Sequence, residues 1–313
     1  MGFVLLIASG ALLVVVLLIA GIVLDARHPA RATEGWALAH GHAIDPAALG
    51  VAFEELTVAG VKAWRISGGD ASGPTTLIIH GWRRSRIDSL RRLEPWLGVS
   101  RAAWLVDLAG HGHAPPGPTT LGAGDGARLV IAANEMIARD STDAAPSRLM
   151  IVGHSLGAVV AIDLAARLDR AALAGVIAFA PYDDLAEPIS NRLAARGLRS
   201  STLAAIAATV LRVIAGRSPN TRESLRRLAN SHCPLLVASS RADEVVRSDH
   251  VRQLAIAAGA PLLTSDTITH DQLGTSRAHA TEPAFLNALS QFAAAAAAEC
   301  LTARTEGATT RRA

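Results

Sequence analysis

The stretch from Leu149 to Ala158 constrains this chain more than any other. An apolar run of strand length, Leu149-Met150-Ile151-Val152, leads into Gly153-His154-Ser155-Leu156-Gly157. Val159 to Ala166 then reads as a helix packed on a sheet. A strand that turns into a helix over so few residues must close its backbone tightly. The glycines at 153 and 157 remove β-carbons where neighbouring backbone has to approach. Such a turn puts Ser155 in a strained conformation with its Oγ exposed above the sheet. The Leu156 amide, at the helix N-terminus, faces the place where negative charge would develop on an attacked carbonyl. Ser155 is therefore the candidate nucleophile.

The segments on either side alternate between strand and helix. Phe53–Val58 and Val61–Ile66 read as half-buried strands joined at Gly60. Thr75–Ile79, Ala102–Asp107, Ala174–Ala180, Pro234–Ser240 and Pro261–Thr264 are apolar runs suited to a sheet covered on both faces. Helical patterns fall near Ile87–Leu97, Ala127–Arg139, Ser248–Gly259 and Pro283–Ala298. This alternation predicts an α/β fold with a mainly parallel sheet wrapped by helices on both faces. Residues 182–232 interrupt it with helix alone. Within them Leu203, Ile206, Val210 and Ile214 recur at near-helical spacing, flanked by Arg199, Arg212 and Arg217. That stripe is expected to line the mouth of the site above Ser155.

Phe3 to Leu24 is almost wholly apolar and uncharged, long enough to cross a bilayer as a helix. A cleaved signal peptide would want a basic start and a shorter core, and as a helix buried in the globular fold the stretch would be unusually apolar all round. An uncleaved single-pass anchor is the expectation. Arg27 and Arg31 follow the span and nothing basic precedes it, which puts the remainder on the cytoplasmic side. The division expected along the chain is an anchor at 1–25, a linker at 26–50, a core at 51–181 and 233–298, a helical lid at 182–232, and a disordered tail at 299–313.

At 313 residues the chain holds one large α/β domain and a small appendage. Lys62 is its only lysine, and the arginines are scattered over a net charge of +3. That distribution gives no stripe for nucleic acid. Cys233 and Cys300 lie far apart and match no metal spacing, and His111 and His113 lack a third ligand of recognisable spacing. No metal and no cofactor is expected. His111 and His113 read as loop residues near the mouth of the site.

A serine hydroxyl needs a base, and the base needs a carboxylate to fix its tautomer. Downstream of the turn, Asp243 follows the strand 234–240 by three residues. Glu244 is the near rival, Asp249 lies in the next helix, and Asp183 and Asp184 offer a second acid position. His270 follows the next strand and is the best-placed base. His250 sits on a helix, His279 comes late, and His154 should point away from the nucleophile. A second oxyanion donor is expected from His80-Gly81-Trp82, where the Trp82 amide would join that of Leu156.

Several segments together resemble the α/β-hydrolase superfamily over residues 53–298. They are His80-Gly81-Trp82, Asp107-Leu108-Ala109-Gly110-His111-Gly112, Gly153-His154-Ser155-Leu156-Gly157, Asp243 with Val246, and His270. Pro118-Thr119-Thr120-Leu121-Gly122 and the compact helical insertion are similar to the membrane-anchored Bem46-like branch, near the peptidase-type enzymes. The resemblance implies an eight-stranded, mostly parallel sheet, a lid between strands six and seven, and catalysis without a cofactor. Ser239-Ser240 stand where the family often has His-Gly, and Thr269 where it has Gly. Fold alone does not fix the reaction. Serine, acid and base in this order give acyl transfer through a serine-bound intermediate to water. The apolar helical insertion with the membrane tether suits a small-molecule substrate, an acyl-chain or other hydrophobic ester. A serine peptidase or amidase and a silent membrane scaffold are the alternatives.

Overall fold

The computed structural model describes residues 2–142, 146–215 and 220–310. Its centre is an eight-stranded sheet: β1 (Phe53–Val58), β2 (Val61–Ser67), β3 (Thr75–Ile79), β4 (Ala102–Val106), β5 (Leu149–His154), β6 (Leu173–Phe179), β7 (Leu235–Ser240) and β8 (Leu262–Ser265). The spatial order is β1-β2-β4-β3-β5-β6-β7-β8. β2 runs antiparallel to both neighbours and every other pairing is parallel. β3, β4, β5 and β6 are buried along their whole length, as strands covered on both faces must be.

In chain order the α-helices are α1 (Gly2–Arg27), α2 (Glu34–Ala39), α3 (Arg86–Ser89), α4 (Glu94–Leu97), α5 (Asp125–Asp140) and α6 (Leu156–Ala165). They continue as α7 (Ala186–Ala195), α8 (Ser201–Ala215), α9 (Thr221–Asn230), α10 (Ser248–Ala258), α11 (Ser276–His279) and α12 (Pro283–Thr310). α6 is apolar at every position but Asp163, because the rest of it is buried between the sheet, α5 and α9.

Four local expectations are revised. The helix predicted near 87–97 is broken into α3, a 3-10 turn at Leu90–Arg92, and α4. Pro95 has no amide proton and its ring excludes the preceding carbonyl, so one continuous helix cannot form there. The tail predicted as disordered from 299 continues as helix to Thr310. Phe285, Leu289, Ala293 and Ala296 are buried at helical spacing, and the alanine run that follows has high helix propensity. The linker at 26–50, expected to hold one short helical piece, carries α2 and in addition a 3-10 turn at Pro46–Leu49. It is also strapped down, since Arg31 donates to the carbonyls of Gly112 and Ala114 at 3.1 and 2.6 Å.

The fourth revision concerns α8. Its buried face is Ala204, Ala207, Ala208 and Leu211, whose small side chains let it pack closely on α7 and α1. Ile206 and Ile214 of the predicted stripe are exposed, and the stripe does not line the cavity at Ser155. Arg217 lies outside the described residues.

α1 is long and apolar enough to cross a membrane, a test that a signal sequence near an N-terminus also meets. Most of it is exposed, but its last turns are built into the fold. Val23 and Ala26 are buried. Trp82 Nε1 donates to the Ala26 carbonyl at 3.0 Å, and the Thr119 amide donates to that of Arg27 at 2.8 Å. Asp25 pairs with Arg83 and, at 3.3 Å, with Arg196.

At the end of the sheet that carries Ser155, α6 comes up close against β3. A β-carbon at Gly157 would collide with the carbonyl oxygens of Ile79 and His80. Gly157→Ala should lower stability by about 3 kcal/mol, since neither carbonyl can move without breaking the sheet. The urea midpoint of the two proteins checks this, and an unchanged midpoint would contradict the packing described.

Candidate active site

Ser155 stands between β5 and α6 with φ 55° and ψ −117°. A serine in that region is strained by about 1–3 kcal/mol. The surroundings over-determine it. The Ser155 amide donates to the Phe179 carbonyl at 2.8 Å. A β-carbon at Gly153 would strike the Gly157 backbone, and one at Gly81 would crowd His154 and the Ser155 side chain. The turn is locked from below by α6 and from above by the loop after β3.

Two loops at the same end of the sheet bring a base and an acid to it. His270 Nε2 lies 3.1 Å from Ser155 Oγ, and His270 Nδ1 lies 2.7 Å from Asp243 Oδ2. All three residues are buried. With Nδ1–H donating to the carboxylate, the Nε2 lone pair faces the serine hydroxyl, the geometry a general base requires. Asp243 Oδ1 accepts from the amides of Val245 and Val246 at 2.8 and 2.7 Å, which fixes the carboxylate before the imidazole meets it. Glu244 does not reach the ring; its Oε2 accepts from the His270 amide at 3.2 Å. Among the described residues the Trp82 and Leu156 amides have no acceptor, and both belong to segments that meet at Ser155.

The rival residues go elsewhere. His250 Nε2 lies 2.7 Å from Asp183 Oδ1, and Nδ1 lies 2.7 Å from Glu187 Oε2, the latter an ion pair rather than a well-aligned hydrogen bond. These two carboxylates raise the His250 pKa to about 9, while His250 and then Arg222 hold Asp183 down at about 2. His250 is thus a charged clamp joining α10, the end of β6 and α7. Asp184 pairs with Arg212 at 2.9 Å.

Sequence reasoning missed the buried layer behind the site. His154 is turned toward the loop of the base: its Nε2–H donates to the His270 carbonyl at 2.8 Å, and the two rings lie 4.9 Å apart. Burial, then the charges of Arg92 and His270, push its pKa well below the usual value, so it supports His270 as a neutral ring. His80 Nε2 accepts from the Leu108 amide at 3.0 Å while Nδ1–H donates to the Gly81 carbonyl at 2.8 Å, tying the ends of β3 and β4 together. Burial lowers its pKa to about 4. His111, expected at the mouth, is fully buried 5.1 Å from His80, and burial lowers it to about 3.

Beyond them Arg92, also buried, donates to Asp88 at 2.7 Å and to the carbonyls of Leu273 and Asp271 at 3.1 and 2.8 Å. Burial pushes the Asp271 carboxyl up, but Arg84 and Arg91, at 2.7 and 2.9 Å, outweigh it and hold the carboxyl far below the usual range. Three arginines, Arg84, Arg91 and Arg92, therefore pin the residue next to His270, and Asp88 holds the arginines in turn. The local sequence signal was the cluster Arg83-Arg84-Ser85-Arg86-Ile87-Asp88-Ser89-Leu90-Arg91-Arg92, too polar for an ordinary surface helix that also has to pack.

A cavity of about 310 Å³ opens onto Ser155. That is the size of a small-ligand site. Its walls come from α1 (Leu17, Leu18, Gly21), from Trp82 and from α7 (Ile189, Arg192).

The model of the alpha/beta hydrolase family matches residues 76–289, more than half of the chain. Uncharacterized proteins from two Mycobacterium tuberculosis strains are each 30% identical over 195 residues, 62% of this chain; the match spans 60% of the length of those relatives. An esterase from Pyrococcus furiosus superposes with a TM-score of 0.65 at 17% identity, covering 85% of this chain and 96% of its own. An esterase from a Rhodococcus species gives 0.53 at 19% identity, over 77% and 98%. A membrane phospholipase A, a bacterial virulence factor, gives 0.53 at 17% identity, over 92% and 97%. At such identities the likeness is one of fold.

The His250 clamp carries a sign that can be measured. Its folded pKa is raised from 6.5 to about 9. The stabilisation it supplies is complete below about pH 6.5 and is lost as pH rises through about 9. Asp183, held down at about 2, sets the acid limit: its share is present above about pH 4 and lost below about 2. Since His250 keeps some exposure, about 2 kcal/mol is a fair magnitude. His250→Gln should cost that much at pH 6 and little at pH 10 in urea titrations. A constant difference across that range would exclude the clamp.

Proposed function

The chain belongs to the alpha/beta hydrolase family; on that footing we propose that it is a membrane-tethered serine hydrolase that cleaves carboxylic esters with hydrophobic acyl groups. The observation that carries this reading is the pair of contacts at His270, 3.1 Å to Ser155 Oγ and 2.7 Å to Asp243.

In the reaction His270 Nε2 takes the proton of Ser155 Oγ as the oxygen attacks the ester carbonyl. The amides of Trp82 and Leu156 receive the oxyanion. The alcohol leaves with the proton from His270, and an acyl-serine remains. Water, deprotonated by the same nitrogen, attacks the acyl group, which departs as the carboxylic acid while Ser155 regains its proton. Asp243 stays ionised and steadies the imidazolium in both halves.

Two features support a hydrophobic acyl group. The cavity is walled mainly by apolar side chains, and part of that wall is the helix with the composition of a membrane span. The same wall supports an uncleaved helix, because removing α1 would strip one side of the site. An enzyme shortened to begin near Arg31 would lack that wall. The likeness to the Bem46-like branch agrees with this arrangement. The amidase reading keeps one observation in its favour, a cationic side chain, Arg192, on the cavity wall.

The test is labelling of the purified full-length protein with a fluorophosphonate, followed by a panel of esters set against aminoacyl amides. Ser155→Ala should stay folded, lose the label and lose on the order of 10⁶ in kcat. His270→Ala should be about as severe, and Asp243→Asn less so. A Ser155→Ala protein keeping a tenth of its turnover would overturn the assignment, and turnover confined to the amides would replace esterase by amidase.

A further inference from the structure

The cavity at Ser155 has two properties that a generic ester site does not need. One is its α1 wall. Leu17, Leu18, Gly21 and Ile22 face it, while the rest of the helix toward Phe3 is exposed and apolar. At 1.5 Å per residue, Leu17 lies about 12 Å along the axis from Asp25. With Asp25 and Arg27 at one surface of a bilayer, that wall falls at the depth of lipid acyl chains, since half the hydrocarbon layer is about 15 Å. α8 packs beside α1 and turns Ile206, Val213 and Ile214 outward, which extends the apolar surface around the opening.

The other property is Arg192. Its guanidinium carbon lies 5.0 Å from the centroid of the Trp82 ring, on the wall that Ser155 also lines. Among the described residues it has no carboxylate or carbonyl partner. Its neighbours are all matched: Arg83 and Arg196 with Asp25, and Arg84 with Asp271. Burial, then the charges of Arg84, Arg83 and Arg196, work against its positive charge. A guanidinium nonetheless stays charged, so the site holds a half-buried cation without a counter-ion. Leaving such a group unpaired is costly, and a phosphate or carboxylate would match it with two parallel hydrogen bonds.

Building on the ester-hydrolase reading above, we propose that the substrate is an anionic membrane lipid whose acyl chain lies along α1 against Leu17, Leu18, Gly21 and Ile22, and whose phosphate is held by Arg192. The ester then sits between the chain and the anion, beside Ser155. Arg192 is the residue that sets specificity, and α1 is part of the substrate site as well as the tether.

The experiment uses the full chain in detergent micelles and a matched pair, 1-oleoylglycerol and 1-oleoylglycerol 3-phosphate, which differ only in the anion. The wild type should favour the phosphate ester in kcat/KM by about tenfold or more, the range of a charge-assisted bidentate contact. Arg192→Gln should lower that preference at least tenfold, and Arg192→Lys should restore part of it. A β-carbon at Gly21 would meet no neighbouring atom, so Gly21→Phe can place its ring against the groove. It should lower the ratio of oleoyl to butyryl turnover several-fold.

Binding of the same pair to Ser155→Ala, by calorimetry, keeps the proposal testable without turnover. A preference in binding for the phosphate that Arg192→Gln removes supports the proposal even where no ester is cleaved, and in that case only the esterase reading fails. Ordinary turnover of butyryl esters with no preference between the pair overturns the proposal and leaves that reading standing. Competition by millimolar inorganic phosphate that equals competition by the lipid would assign Arg192 to free phosphate, and preference for a peptide carboxylate would assign it to a peptide terminus. Either result overturns the lipid.

Discussion

The structure depends on one close approach, that of α6 to the ends of β3 and β5. Gly157 lets the α6 backbone touch the carbonyls of Ile79 and His80, and Gly153 lets β5 pass under the first turn of the helix. With both contacts in place Ser155 has no room for an ordinary backbone conformation, and its φ of 55° follows. The strain is affordable because the buried strands β3 to β6 hold the turn from both sides. The same approach carries the His80-Gly81-Trp82 loop over the serine, so the amides of Trp82 and Leu156 come from segments that cannot separate without opening the sheet.

Around this point, polar groups are used to hold position. Three histidines are kept neutral by burial, and each ties backbone or ring to a neighbour: His80 to Leu108, His111 to His80, His154 to His270. Buried Arg92 and Asp88 fasten the loop that carries His270. Each of these groups would cost several kcal/mol if left alone in the interior. The partners they do find fix where the imidazole lies, which a loop on an apolar bed would not achieve. The contrast with His250 is instructive, because two carboxylates keep that ring charged and make it a clamp.

α1 joins two properties that are usually separate. Its length and composition suit a bilayer, and its last turns are bound by Trp82, Thr119, Arg83 and Arg196. A helix fixed in this way cannot swing as a free tether. Whatever sits around its apolar turns also sits around the cavity, so the environment of the helix and that of the cavity are one.

Much was legible in the sequence wherever the physics is local. The strand–turn–helix at Ser155 is written in two glycines and an apolar run. The alternation of strand and helix gave the sheet and its parallel sense, and the order of Ser155, Asp243 and His270 pointed to the side chains that the fold brings together. The sequence could not show what meets across long separations. Arg192 lies next to Trp82 although more than a hundred residues separate them, and among the described residues it is left without a counter-ion once Asp25 has gone to Arg83 and Arg196. The stripe on α8 was misread because helical spacing says which residues share a face but not which element that face meets; small alanines took the buried side. Periodicity and turn chemistry are properties of neighbours along the chain, whereas the shape and charge of a cavity belong to segments that only packing brings together.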